Sequence, residues 1–144
     1  MDELFYKHVL VHPELTNDPM HAQGNIGRID VIDYREDEVF VMLDNNRYGL
    51  YEANALLVLQ PPERLLENLK SSLDKLTKKN MVAMLNIYLW QNTRQDEHIR
   101  EALTLAIGNE ALRDKALISL RDWIDNGLSD DYNYGADWTP GRGM

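Results

Sequence analysis

Gly24-Asn25-Ile26-Gly27 has the G-x-x-G spacing with which backbone N–H groups cradle phosphates or clamp a nucleic-acid backbone. That chemistry needs a helix at the loop: two helices joined by it, or a helix N-terminus just after it. Here strand-forming residues follow and no lysine stands near, so the pair is read as a turn or bulge entering a curved strand. His8, His12 and His21, with Asp18, are the metal-ligating types closest together in the chain. On a strand His8 and His12 share a face, but about 13 Å separates their Cβ atoms, too far for one ion to take both. They are read as solvated or loop-capping histidines. Ser71, Ser72, Ser119 and Ser129 lack a G-x-S-x-G elbow and have no histidine at helical spacing, so no serine nucleophile is assigned.

The acids Asp30, Asp33, Glu36, Asp37, Glu38 and Asp44 do not fit a calcium loop, which needs ligands at alternate positions, a central glycine and a closing glutamate. They form a solvated face whose sharper use is to dock a basic partner, with Asp33, Glu36, Asp37 and Glu38 as candidate contacts. Tyr34, Phe40, Tyr48 and Tyr51 offer rings for a methyl-lysine cage, but a small barrel must first fill its own interior with such residues. No catalytic, cofactor-binding or metal-ligating residue is assigned, and no cofactor is expected.

Strands and helices must position these groups. Residues 8–12, 26–33, 38–44, 47–52 and 56–60 read as five short strands. Ile29 and Val31 are placed on one face of the second. The third alternates Val39, Val41 and Leu43 with Phe40 and Met42, is apolar on both faces, and is therefore expected to be covered on both by the helical half of the chain. Asp44-Asn45-Asn46 reads as a hairpin turn. Pro61-Pro62 ends the strands and starts a helix. Leu65, Leu66, Leu69, Leu73 and Leu76 form its stripe. In a second helix Met81, Met84, Leu85, Tyr88 and Leu89, widened by Val82 and Ile87, approach full circumference, which predicts a central helix. Asp96 is the expected N-cap of a third, and a fourth is expected from Glu110 to Asn126, ending at Gly127.

The run G-x-I-G-x-I (24–29), then V-x-V-x-L (39–43), G-L-Y (49–51) and L-L-V-L (56–59) resembles the SH3-like small barrels, among them KOW, Tudor and CAP-Gly domains. The chain lacks the G-K-N-D-G string of CAP-Gly domains and the basic strand face of ribosomal KOW domains, so what the resemblance implies is fold. The expected class is α+β: a small antiparallel SH3-like barrel or bent sheet at 1–60, a four-helix segment at 61–127 and an aromatic, glycine-containing tail at 128–144.

Charge and composition narrow the function. The net charge is −9, with 11 acids against 4 bases in residues 1–62 and 10 of each in 63–127. Binding nucleic acid relies on cations that neutralise phosphates, so the acidic front half argues against it. Absent cysteine excludes disulfides and thiolate catalysis and suits a reducing compartment. No apolar run reaches the ~20 residues of a membrane span, and the start is acidic, so a cytoplasmic protein without membrane contact is expected. In the tail, Tyr132, Tyr134 and Trp138 are costly to leave in water and are further candidate contacts. The expected function is a non-enzymatic protein-interaction or adaptor module. The alternatives are a nucleic-acid-associated barrel, and a small enzyme with His21 and His98 meeting between barrel and helices. A homo-oligomer is compatible with each.

Overall fold

The computed structural model describes residues 4–129; the tail residues Tyr132, Tyr134 and Trp138 lie outside them. The fold is mixed α+β. Six antiparallel strands, β1 (His8–Val11), β2 (Ile26–Asp33), β3 (Glu38–Leu43), β4 (Tyr48–Tyr51), β5 (Leu56–Leu59) and β6 (Leu117–Ser119), stand in the order β4-β3-β2-β1-β5-β6. Five helices accompany them among the described residues: α1 (Pro62–Ser71), α2 (Lys78–Thr93), α3 (Asp96–Ile107), α4 (Glu110–Ala116) and α5 (Leu120–Asp125). The order is linear, with β4 and β6 as its two ends.

Two cores meet at the middle of this sheet. On one face Val9, Val11, Ile29, Val39, Val41, Leu56 and Val58 pack with Leu120 and Trp123 of α5. On the other, Leu10, Leu57 and Leu59 pack against Leu65, Met84, Ile87, Leu103 and Leu112 of α1–α4. The strands covered on both sides are therefore β1 and β5. The expectation for β3 is corrected: Val39, Val41 and Leu43 are buried, but Phe40 and Met42 stay exposed, because the helical layer ends before it reaches them. The helix α2 is likewise not central. It buries Met84 and Ile87, whereas Val82, Leu85 and Leu89 face out, since its partners lie on one side only.

Three local devices depart from the simple periods. Between Ile29 and Val31 the β2–β3 register shifts by a bulge at Asp30, so Ile29 is buried, Val31 is 48% exposed, and Ile32 rejoins the core side. A bulge reverses the alternation, which is why Ile29 and Val31 do not share a face. The expected fourth helix breaks at Leu117, whose extended backbone opens β6, and Ser119 then caps α5 by accepting from Asp122 N–H at 3.0 Å. The helical part of the chain thus returns one strand to the sheet. Asp96 is the first residue of α3 rather than its cap, which is Gln95, and this frees the carboxylate for tertiary pairing.

The long loop before β2 is tied down by Asp18. Its buried carboxylate accepts from the N–H groups of Met20 and Ala22, each at 2.9 Å, and from the Tyr51 hydroxyl at 3.1 Å. Burial and the bond to Asp18 raise the Tyr51 pKa. At the end of that loop Gly24 has φ +80, the turn the sequence predicted. Gly27 has a different reason to lack a side chain: a Cβ there would lie 2.6 Å from Val41 Cγ1 and 2.7 Å from the Met42 carbonyl. Gly27→Ala is expected to destabilise the fold by about 1–3 kcal/mol. A urea titration would show a lower midpoint with an unchanged slope; an unshifted midpoint would mean that β2 and β3 part freely at this point.

Candidate interaction surface

Register sorts the uncovered face of β2, β3 and β4 into three rows. Antiparallel partners directly opposite one another point to the same side of a sheet. Arg28, Met42 and Tyr48 make the first row and Val31, Phe40 and Leu50 the second. Asp33 stands opposite Glu38, and one step beyond the Val39–Tyr51 pair the register sets Glu52 beside Glu38, giving a third row of three acids. The middle row is apolar and open: Phe40 is 37% and Leu50 51% exposed. This apolar row crosses three adjacent strands, with the row of Arg28 on one side and the acids on the other.

The α3 helix borders this face. Its Asp96 pairs with Arg28 at 2.5 Å and approaches His8 Nε2 at 2.8 Å, while its Arg100 pairs with Asp44 at 2.7 Å. The His8 contact is an ion pair only when the imidazole is protonated. Beside these ion pairs lies a cleft of about 320 Å3, whose lining includes Tyr6, Asp30, Met42 and Asn46. Loss of water, with the charge and hydrogen bond of Asp30, raises the Tyr48 hydroxyl's pKa. Among the described residues no group of three or more His, Asp or Glu side chains could hold a metal ion, and no helix is long and apolar enough to cross a membrane.

The four acids predicted as contacts take different places. Asp33 and Glu38 belong to the acidic row. Glu36 is exposed at the turn, where Asp33 Oδ1 accepts from the N–H groups of Arg35 and Glu36. Asp37 is committed to structure: it pairs with Arg121 of α5 at 2.6 Å and accepts from Ala53 N–H at 3.0 Å. Phe40 and Tyr48 share the open face, but Tyr51 points into the core, so these rings do not form one cage. His21 sits in the Asp18 turn and His98 bonds Thr93 Oγ1 at 2.8 Å, whereas the histidine at the junction of sheet and helices is His8. Val31, Met42, Leu50 and Glu52 were missed as surface residues; the Asn45-Asn46 turn, which fixes the β3–β4 register, was the signal that could have aligned Leu50 with Phe40 and Glu52 with Glu38.

No protein-family model, curated protein or solved structure matches this chain.

His8 gives the border a pH dependence. Burial lowers the pKa of its imidazole; Asp96 opposes this shift, and Arg28 and Arg100 add to it. The unfolded chain therefore takes up a proton near the ordinary histidine value more readily than the folded chain does. The stability that the neutral imidazole provides is present above that value and is lost as the pH falls toward the depressed folded pKa. The urea midpoint is expected to drop between about pH 7 and about pH 5, and His8→Asn to flatten that drop. An equal drop in the variant would assign the acid sensitivity to other groups.

Proposed function

We propose that the protein is a non-enzymatic protein-interaction module of the adaptor kind, and that it docks partners on the open face of β2, β3 and β4. The observation that carries this reading is the apolar row Val31, Phe40 and Leu50, left in water while the helices cover the other half of the same sheet face. Burying such a row on a partner recovers hydrophobic free energy that the fold itself does not use. The acids Asp33, Glu36 and Glu38 flank the row and favour a basic partner, which keeps the acidic-surface reading with Asp37 removed from it. The same acids disfavour a phosphate backbone at this face. A cytoplasmic setting, a second contact through Tyr132, Tyr134 and Trp138, and an SH3-like kinship for residues 24–59 belong to the same proposal.

The test is site-specific photo-crosslinking in nuclease-treated lysate of the native host, with the full chain carrying the reactive group at position 50 or, as control, at the exposed Thr104 of α3. Protein adducts are expected from position 50 and not from position 104. Phe40→Ser should reduce them about tenfold, as loss of a central apolar anchor does. Equal adducts from both positions, or none from position 50, would end the reading.

A further inference from the structure

The backbone of β4 completes what its side chains begin. Leu43 N–H donates to the Arg47 carbonyl at 2.8 Å, and the register then pairs Val41 with Gly49 and Val39 with Tyr51. In an antiparallel ladder the bonded residues alternate, so Arg47, Gly49 and Tyr51 turn their N–H and C=O groups toward β3. Tyr48 and Leu50 turn theirs the other way, off the end of the sheet. No partner meets these four groups among the described residues. The strand is four residues long and has no proline, no lysine and no bulge. The opposite edge, β6, is only three residues long and leads straight into α5. An open trough of about 640 Å3 lies at the end of β4, its lining including Leu50, Tyr51 and Glu52 together with Leu15, Thr16 and Asn17.

Side chains specify what would fit. Every row of the open face stops at β4, and a strand laid along its edge would add one member to each. The next place in the middle row adjoins Leu50 and takes an apolar side chain. In the acidic row Asp33 and Glu38 are like charges set directly opposite one another, with Glu52 just past the end of β4 one step beyond the last pair, an unfavourable arrangement that a cation in the next place relieves. Residues on one face of a strand are two apart, so the two requirements together describe an apolar residue and a Lys or Arg separated by one position. Deepening the proposed docking function, on which it rests, we infer that β4 receives an extended segment of a basic partner protein as an added antiparallel strand. Its apolar side chain sits beside Leu50 and its cation beside Glu52.

Heteronuclear NMR on the full chain, with an acetylated and amidated heptapeptide Thr-Lys-Thr-Val-Thr-Lys-Thr as the probe, tests the inference. The peptide reads the same for this purpose from either end and offers an apolar residue flanked by cations on one face. Its addition is expected to shift the amides of Tyr48 and Leu50. A version N-methylated on its valine and lysine amides should bind about tenfold more weakly, because it loses backbone bonds of about that combined worth. A version with Glu for Lys should bind more weakly as well, and the pair Glu38→Lys and Glu52→Lys should reverse that preference. If the N-methylated peptide bound as well as the parent, the strand-addition mode would be wrong although docking on the face would stand. If the Glu peptide bound equally, the acidic row would have no part in recognition. Absence of any shift at Tyr48 and Leu50 would overturn the inference. So would slow hydrogen exchange of those two amides in the free protein, which would mean that the edge is already paired by the chain's own termini or, if light scattering shows a dimer, by a second copy.

Discussion

Two strands buried on both faces set the terms for the rest of the molecule. In β1, Val9 and Val11 face α5 while Leu10 faces the helical layer; in β5, Leu56 and Val58 face one way and Leu57 and Leu59 the other. Each such side chain contributes about 2 kcal/mol by leaving water, and a strand can do so on both sides only if something covers each side. Trp123 and Leu120 of α5 cover one, and α1–α4 cover the other. Because β1 and β5 are neighbours, with β6 beyond them, the helices are gathered over that half of the sheet. The opposite half, made by β2, β3 and β4, keeps one face packed on the Trp123 core and the other in water. The open surface is therefore a consequence of where the doubly buried strands lie.

The boundary between the two halves is polar. Arg28 and Asp44 on the sheet meet Asp96 and Arg100 on the helical layer, with His8 beneath them. These pairs are half-exposed, and each is worth only a fraction of a kcal/mol. Their effect is one of placement: they tie the first turns of α3 to the margin of the sheet. Burial keeps the His8 imidazole poorly disposed to carry charge, so the junction is best satisfied when His8 is neutral and Arg28 answers Asp96.

The parts of this fold that follow local chemistry were legible in the sequence, and those set by register were not. The five strands of the first 60 residues, the Asn46 turn with its positive φ, the helix starting at Pro62 and the turn at Gly24 all follow from residue types at single positions. A bulge has no such signature. Asp30 looks like one more polar residue in an alternating strand, yet it moves Val31 from the core to the surface. Leu117 and Ile118 continue an apolar helical stripe as well as they make a strand, and only Ser119, placed three residues before Asp122 to cap a new helix, argues for the break. The cluster of acids at 33–38 was legible as a composition, but its division was not. Asp33 and Glu38 join a row that ends at Glu52, while Asp37, between them in sequence, turns away to Arg121.

That row bears on why an unguarded edge can persist. An exposed strand with free N–H and C=O groups invites any other strand, including its own copy. Lysine and proline are common protections, and β4 has neither. On the proposed docking mode the protection is electrostatic. With a net charge of −9 on each chain, two copies repel as they approach. The three aligned acids that make the edge costly for another acidic strand make it favourable for a basic one. On the proposed docking mode, a single arrangement of charge, produced by the register of β2, β3 and β4, disfavours a second copy at this edge and favours a basic strand.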